Sequence, residues 1–284
     1  MMISEKKLQV VLGGTSGMGL ATAKALGEFG PVLIGGRSPE RLENALNELR
    51  GTGLEVYGKS CDISDKDSLK EFVEYAASIA PIGNVVNAAG VDYGAVPRDM
   101  LLKINMQGTH YVLEAFLPYL DNSCVVNYSS VTGYFYQPKQ EEFDLWMNPD
   151  ADDFLEKVSD IIPAPTDPRM VALGPDYTAY AASKRFVMYY TMTNTMRVAQ
   201  KNNSRIISIA PGSFMTPMLV NQGGENEASS EALKRGSVFN RFGTPKEMAD
   251  LIKHLLAPGH EYLTGCDIIM DGGRTALGMY PQFK

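Results

Sequence analysis

The feature that most constrains the fold is an alternation of short apolar runs with amphipathic stretches along the 284 residues. Most runs are apolar at nearly every position, which is typical of strands covered on both faces. Strand–helix alternation requires right-handed crossovers and predicts a doubly wound, parallel α/β sheet. The predicted strands are Leu8–Gly13, Pro31–Gly36, Leu54–Lys59, Asn84–Ala88, Cys124–Ser129, Arg205–Ala210 and Cys266–Met270.

Helical patterns fill the intervals between these strands. They cover residues 17–29, 41–50, 66–79, 100–119, 177–201 and 246–256. Because the alternation spans the chain without a repeat or a low-complexity linker, we expect one domain over residues 1–284. The segment 134–176 interrupts it, since it is rich in proline and has ten acidic but only three basic residues. Within this insertion, Phe154, Leu155, Val158, Ile161 and Ile162 predict an amphipathic helix.

Composition excludes several classes of function. The net charge of −7 and the lack of Lys/Arg runs argue against a nucleic-acid or membrane-surface partner. The start MMISEKKLQVV has no signal-peptide pattern, and no apolar run is long enough to span a bilayer. Cys61, Cys124 and Cys266 lack metal spacing, and the three histidines do not cluster, so we expect a cytoplasmic protein without a metal site.

A glycine-rich turn joins the first strand to the first helix. Its spacing, Gly13-xxx-Gly17-x-Gly19, fits a phosphate-binding turn, with Gly13 in the tight bend and Gly17 where a pyrophosphate approaches the backbone. Gly19 then lets the helix pack closely on the strand. We therefore predict a Rossmann-type nucleotide site whose first part comprises Gly13, Thr15, Ser16, Gly17, Met18 and Gly19.

The end of the second strand predicts which dinucleotide binds. A carboxylate here holds the ribose 2′-hydroxyl of NAD in many dinucleotide folds. This chain has Gly36 instead, followed by Arg37 and Ser38. Since a guanidinium grips a phosphate with two parallel hydrogen bonds, the sequence favours NADP(H), with NAD(H) as the alternative.

The stretch Tyr177-Thr-Ala-Tyr-Ala-Ala-Ser-Lys184 contains two candidate acid/base groups. Tyr180 lies four residues before Lys184, and Tyr177 lies seven before it. On a helix, both spacings return a side chain to the face of the lysine. Spacing alone therefore leaves both tyrosines open.

Seven motifs in order resemble the classical short-chain dehydrogenases/reductases. Besides GxxxGxG, they are Asp62-Ile63, Asn87-Ala88-Ala-Gly90, Asn105, Ser130, Tyr180-xxx-Lys184 and Pro211-Gly212 with Thr216. The resemblance implies that Asp62 and Ile63 contact the adenine and that Asn87, Ala88 and Gly90 line the cofactor's ribose. It also implies that Pro211, Gly212, Phe214 and Thr216 lie near the nicotinamide. Leu12 and Ala88 depart from the family's usual threonine and asparagine.

The resemblance also separates the two tyrosines. The ketone-reducing branch uses the tyrosine four residues before lysine together with a serine, and Ser130 occupies the serine's place; enoyl reductases use the more distant tyrosine. We therefore predict Tyr180 as the acid/base and Ser130 as the donor to the carbonyl oxygen. By analogy, Lys184 binds the nicotinamide ribose and Asn105 holds a relay water. The ammonium of Lys184 and the positive nicotinamide of the cofactor together predict a lowered pKa for Tyr180.

The insertion narrows the predicted substrate. Tyr180 follows Ser130 by 50 residues, an enlargement similar to that of bacterial 3α-hydroxysteroid dehydrogenase/carbonyl reductases, although those prefer NAD. The sequence thus predicts an NADP(H)-dependent oxidoreductase of secondary alcohols and ketones, favouring a steroid or bile acid. A 3-oxoacyl or small-ketone reductase is the alternative, and a non-catalytic NADP-binding regulator is a further one.

The predicted substrate is a small apolar ketone or alcohol. An apolar segment after Gly212 lies where the family's substrate loop lies, and polar residues 221–230 follow as an expected lid. The predicted pocket comprises Thr132, Tyr177, Met215, Met218 and Leu219. Because the insertion lies where many relatives pair helices into tetramers, a homodimer or monomer is expected.

Overall fold

The computed structural model describes residues 6–201, 203–220, 231 and 233–279. Seven strands form one parallel sheet in the order β3-β2-β1-β4-β5-β6-β7. The strands are β1 (Leu8–Leu12), β2 (Val32–Gly36), β3 (Val56–Ser60), β4 (Ile82–Asn87), β5 (Cys124–Tyr128), β6 (Arg205–Pro211) and β7 (Asp267–Met270). The strand order reverses between β1 and β4, which is where a doubly wound sheet opens a crevice at its carboxyl edge. The predicted Rossmann-type α/β fold is confirmed.

Helices cover both faces of the sheet. In chain order they are α1 (Gly17–Leu26), α2 (Pro39–Arg50), α3 (Lys66–Ile79), α4 (Arg98–Leu102), α5 (Gly108–Phe116), α6 (Gln140–Trp146), α7 (Phe154–Ile161), α8 (Pro168–Val171), α9 (Tyr177–Thr193), α10 (Thr195–Ala199), α11 (Pro217–Leu219), α12 (Pro245–Leu256) and α13 (Arg274–Met279). A π-helical turn, Lys103–Gln107, joins α4 to α5. No helix among the described residues has both the length and the apolar character of a membrane span.

Two apolar layers hold the helices against the sheet. On one face, α3, α5 and α9 contribute the buried side chains of Phe72, Phe116 and Phe186. On the other, α2 and α12 contribute Leu49 and Ile252 together with residues of α1. Burying each such side chain stabilises the fold by roughly 1.5–3 kcal/mol. The two layers therefore hold the helices firmly against the sheet and fix the loops at its carboxyl edge.

The insertion packs onto the first of these layers. Trp146 is 1% exposed and meets Phe186 of α9 edge to face, with ring centroids 5.8 Å apart. Phe154 lies 6.3 Å from the same ring. The predicted amphipathic helix is present as α7, and its Val158 is fully buried. Segment 134–176 therefore shares the core of the sheet and covers one side of α9.

Candidate active site

The turn after β1 has a backbone that only glycine fits. Gly13 has φ +75° and Gly17 has φ +54°, in the left-handed region that side chains disfavour. A Cβ on Gly19 would lie 2.2 Å from the carbonyl oxygen of Gly13, so α1 packs on the turn at backbone contact. The turn leaves a concave, backbone-lined surface at the start of α1, suited to a phosphate group.

A groove of about 540 Å³ runs from this turn across the carboxyl edge of the sheet. Most of the predicted cofactor residues line it: Gly13, Thr15, Ser16, Gly17, Met18, Gly19, Arg37, Ser38, Asp62, Ile63, Ala88, Gly90 and Thr216. Asp62 is held in place because its Oδ1 accepts hydrogen bonds from the Ser64 amide at 2.9 Å and hydroxyl at 2.7 Å. The groove therefore joins motifs that lie far apart in the chain.

The groove's wall at the end of β2 is cationic. Gly36 stands where a carboxylate would hold a ribose, and a Cβ there would lie 2.6 Å from Thr15 Cγ2. Arg37 is exposed and lines the groove, as does Arg41 from the first turn of α2. Ser38 caps that helix by accepting a hydrogen bond from the Arg41 amide at 3.3 Å. Sequence reasoning missed Arg41, although its position in the first turn of α2 points it to the same end of β2.

A second cavity, of about 200 Å³, joins the groove through shared walls that include Met18, Gly90 and Thr216. It is lined by the predicted catalytic residues Ser130, Tyr180 and Lys184, and by the predicted residues Thr132, Tyr177, Pro211, Gly212, Phe214, Met218 and Leu219. Three predicted catalytic side chains and the second candidate tyrosine, Tyr177, thus meet in one cavity that opens on the groove.

The catalytic side chains are held by α9 and the end of β5. Tyr180 and Lys184 lie on successive turns of α9, and the Lys184 Nζ is 5.8 Å from the centre of the Tyr180 ring. Nζ donates a hydrogen bond to the Tyr128 carbonyl at 3.1 Å. Ser130 accepts a hydrogen bond from the Thr132 amide at 3.2 Å, and it lies close enough to the Tyr180 phenol to lower the pKa of Tyr180. The choice of Tyr180 over Tyr177 as the acid/base stays a prediction.

Burial dominates the electrostatics of the Tyr180 and Lys184 pair. Burial raises the pKa of Tyr180, the nearby Asp92 carboxylate raises it further, and Ser130 lowers it. In the protein by itself desolvation outweighs the other influences, and the lowered pKa expected when the positive nicotinamide is also present stays a prediction. Burial also lowers the pKa of Lys184 to about 8, against an opposing effect of Asp92.

Asn105 lies in the π-helical turn, a local irregularity that often occurs at functional sites. Its carboxamide accepts from the Val91 amide at 2.9 Å and donates to the Val91 carbonyl at 2.9 Å. A Cβ added to Gly90 would lie 3.2 Å from Asn105 Oδ1 and 3.3 Å from Lys184 Nζ, so Gly90 lies between these two side chains. Asn105 thus fixes the strand-end loop beside Lys184, and its water relay stays a prediction.

Two predicted site residues lie elsewhere. Asn87 is 1% exposed and is absent from the groove's walls, because its side chain points into the protein, where Oδ1 has no hydrogen-bond partner among the described residues. Met215 is 45% exposed and does not line the cavity, since the chain turns its side chain outward before α11. The expected lid at residues 221–230 lies outside the described residues.

Besides Arg41, sequence reasoning missed four residues in or near the cavity. Tyr93, Leu173 and Arg274 line the cavity, and Asp92 is a buried carboxylate whose Oδ2 has no described hydrogen-bond partner. Burial raises the pKa of Asp92 to about 6, although Lys184 opposes the shift. For Asp92 and Tyr93, the one available signal was their position shortly after the glycine motif that ends at Gly90. The other two come from the insertion and the C-terminal helix.

Comparison with known families agrees with this geometry. The family model described as short chain dehydrogenase matches residues 7–142, and the one described as enoyl-(acyl carrier protein) reductase matches residues 166–275. The short-chain dehydrogenase/reductase bsc3 of Alternaria brassicicola is 30% identical over 275 residues, covering 94% of this chain and 95% of that protein. The chain belongs to the short-chain dehydrogenase/reductase family. It is an oxidoreductase of that family.

Two further proteins are similar to this chain over most of its length. The 3-oxoacyl-[acyl-carrier-protein] reductase FabG of Thermotoga maritima is 29% identical over 281 residues, covering 95% of this chain and 98% of its own. A crystal structure of an actinorhodin polyketide ketoreductase with NADPH superposes with a TM-score of 0.73 at 22% identity, covering 95% and 97% of the two chains. This structural similarity shows that the ketoreductase and this chain share a fold.

The groove fits the nicotinamide dinucleotide that this family binds. The glycine turn offers a cradle that a Cβ would fill, and cations stand at the end of β2 where an extra phosphate would lie. Lys184 and Thr216 lie where the groove meets the catalytic cavity. Such a cofactor supplies or accepts a hydride, and the residues described above would hold it with its reactive end toward Tyr180.

Proposed function

We propose that this short-chain dehydrogenase/reductase interconverts a secondary alcohol and a ketone with NADP(H). The observation that carries the proposal is the convergence of Ser130, Tyr180 and Lys184 in one cavity that opens on the cofactor groove. In ketone reduction the carbonyl oxygen gains negative charge, which a serine hydroxyl beside the tyrosine can stabilise by a hydrogen bond. Enoyl reduction does not require such a serine.

The proposed proton transfer uses the raised pKa of Tyr180. Because burial disfavours the phenolate, Tyr180 keeps its proton until a carbonyl oxygen becomes strongly basic. The phenol then gives that proton to the oxygen, and Ser130 donates a hydrogen bond to the same oxygen as its charge develops. The ammonium of Lys184 stabilises the phenolate that remains. In the oxidation direction the phenolate removes the proton from the alcohol.

The preference for NADP(H) is supported by Arg37 and Arg41. Both line the groove beside Gly36, and no ion pair with a described carboxylate is made by either. Two exposed guanidinium groups at the end of β2 match the charge of a 2′-phosphate. NAD(H) has a 2′-hydroxyl in place of this phosphate, and Gly36 provides no carboxylate to bind that hydroxyl.

For the substrate, we propose an apolar ketone or alcohol, favouring a steroid or bile acid. A cavity of about 200 Å³ is somewhat larger than the roughly 150 Å³ that encloses benzene. One ring carrying the carbonyl would therefore enter, and the rest of a larger molecule would extend through the opening. A 3-oxoacyl reductase is the alternative, supported by the FabG similarity.

The test is NADPH and NADH consumption with oxo-steroids, oxo-bile acids, cyclic ketones and a 3-oxoacyl thioester. We expect NADPH oxidation with ring ketones and its loss in Tyr180→Phe. Faster turnover of the thioester than of every ring ketone would support the 3-oxoacyl alternative. NADPH binding without turnover of any ketone would support a non-catalytic regulator.

We further propose that the enzyme is a homodimer or monomer. The insertion supports this, because Trp146 and Phe154 already cover part of α9 at Phe186. Phe143 of the insertion also packs on Tyr189, with ring centroids 4.9 Å apart. Light scattering during size-exclusion chromatography measures the mass directly, and a tetramer would contradict the proposal.

A further inference from the structure

Arg274 is a cation in the wall of the catalytic cavity. It is the first residue of α13, directly after the loop that follows β7. Its side chain lines both the catalytic cavity of about 200 Å³ and an adjoining cavity of about 170 Å³. Ser213 and Phe214 also line both, so the guanidinium stands at the junction of the two spaces.

The described part of the chain leaves this guanidinium without a carboxylate partner. Its Nη1 donates a hydrogen bond to Ser213 Oγ at 3.2 Å. By contrast, Arg241 in the adjoining cavity is paired with Glu247 at 2.7 Å, and Arg197 is paired with Glu114 at 2.8 Å. The nearby carboxylate of Asp271 is occupied by the amides of Gly273 and Thr275. The fork of Arg274 therefore has free donors beside the cavity.

An aromatic wall connects Arg274 to the reacting site. The Tyr93 ring contacts Tyr180 edge to face at 5.6 Å and Tyr177 at 5.3 Å. The positive charge of Arg274 opposes the effect of burial on the pKa of both Tyr93 and Tyr177, so the guanidinium is within electrostatic reach of that wall. An apolar ring placed at Tyr180 would thus meet Tyr93 and Tyr177, in a cavity whose wall also includes Arg274.

We propose that Arg274 binds a carboxylate of the substrate, so that the preferred substrate is an apolar ketone or alcohol with an acid group away from the reacting carbon. The inference rests on the proposed function. A planar guanidinium matches a carboxylate with two parallel hydrogen bonds, and one unpaired cation matches one negative charge. In a protein of net charge −7, a local cation is also needed to attract an anion. Among steroids, this chemistry selects bile acids over neutral steroids.

The test compares acids with their own methyl esters, which differ in charge but hardly in shape. Suitable probes are oxocyclohexane carboxylic acid, oxocyclohexyl propanoic acid and an oxo-bile acid, each with its ester. For every pair, kcat/KM is measured with NADPH in the wild type, Arg274→Met, Arg274→Lys and Arg50→Met. Arg50 is exposed on α2 and controls for the loss of one positive charge.

In the wild type we expect the best acid to exceed its ester in kcat/KM by on the order of 10- to 100-fold, as charge-assisted hydrogen bonds allow. Arg274→Met should abolish this ratio, Arg274→Lys should retain part of it, and Arg50→Met should leave it intact. Equal ratios in the wild type and Arg274→Met would overturn the inference while leaving ketone reduction standing.

A binding measurement separates this inference from the proposed function. Calorimetry of each acid and ester with the NADP⁺-saturated protein involves no turnover, because the oxidised cofactor cannot reduce a ketone. Tighter binding of an acid than of its ester in the wild type, lost in Arg274→Met, supports the carboxylate site even if no probe is reduced. Equal binding of acid and ester to the wild type would overturn it.

Discussion

The cofactor groove and the substrate cavity meet at Met18 and Gly90 but are built from different material. Most residues of the groove's walls lie in the turns after β1, β2, β3 and β4, where glycines form part of the surface, and residues 216–218 complete it. The cavity's walls are side chains from the loop after β4, the end of β5, the insertion, α9, the loop after β6 and α13.

This difference explains what each region does. The groove holds a ligand whose shape is common to a large family, so a fixed backbone and a few side chains are sufficient. For the proposed reaction the cavity would have to distinguish one ketone from another, and Tyr93, Leu173 and Arg274 line it with side chains that could make such contacts. Tyr180 and Lys184 line the cavity beside the junction of the two regions, since a Cβ on Gly90, which lines both, would lie 3.3 Å from Lys184 Nζ.

The largest expected effect concerns this junction. Tyr180→Phe removes the proton donor, so kcat/KM for ketone reduction should fall by about 10³-fold, as is typical of a lost general acid. Tyr177→Phe, which changes the cavity alone, should alter kcat/KM by less than about tenfold. NADPH binding, followed by fluorescence, should persist in both. An inactive Tyr177→Phe beside an active Tyr180→Phe would reverse the assignment.

The next largest effect tests whether the groove depends on backbone contact. In Gly19→Ala the new Cβ would lie 2.2 Å from the Gly13 carbonyl oxygen, so α1 must move away from the turn. We expect the Kd for NADPH to rise by about 100-fold, since displacements near 1 Å have effects of that order. Gly51→Ala, at the end of α2 where the nearest atom would be 3.3 Å away, is the matched control. Equal NADPH affinity in both variants would contradict the backbone-built groove.

A smaller effect concerns the groove's side chains. Arg37→Ala should reduce the preference for NADPH over NADH by about tenfold, because one charge-assisted contact with the 2′-phosphate is lost. Arg41→Ala should reduce it less, since Arg41 lies in the first turn of α2, four residues beyond Arg37 and the end of β2. The Kd values for both cofactors measure the preference. An unchanged ratio in the double variant would show that neither residue selects the cofactor.

The smallest predicted effect lies on the cavity side. The anionic carboxylate of Asp92 raises the pKa of both Lys184 and Tyr180, so Asp92→Asn should lower both. Lys184, whose pKa is about 8, would lose its proton at lower pH, and the alkaline fall of kcat/KM should shift by up to about one pH unit toward acid. Below the Asp92 pKa of about 6 the two proteins should converge. Glu48→Gln on the exposed face of α2 controls for the charge, and an unshifted profile would contradict the coupling.

The strands and the groove were predictable because their signals are local. Each predicted strand lies within two residues of an observed one, since a strand buried on both faces needs an uninterrupted apolar run. The glycine turn was predictable because steric contact restricts Gly13, Gly17 and Gly19 to one residue type. The motif around Asn87 was a weaker guide, since a motif gives a position in the chain and no side-chain direction.

The cavity was predictable only where a motif reached it. Ser130, Tyr180 and Lys184 were expected there, while Met215 was placed wrongly because an apolar pattern does not tell which face a short turn exposes. Arg274 was missed because nothing near it in the chain marks a site. The effect of burial on the pKa of Tyr180 was not predictable either, since burial cannot be read from the spacing of a tyrosine and a lysine.

The amino-acid sequence alone determined the parallel sheet, the glycine cradle and the set of catalytic residue types, because periodicity and backbone sterics act over a few neighbouring residues. Tertiary structure decided how Tyr93, Asp92 and Arg274 surround Tyr180, and how the insertion covers α9. Those contacts join residues far apart in the chain, and desolvation acts only once they are packed together. The reaction class is therefore a property of local sequence, and the charge and shape of the substrate site are properties of the folded chain.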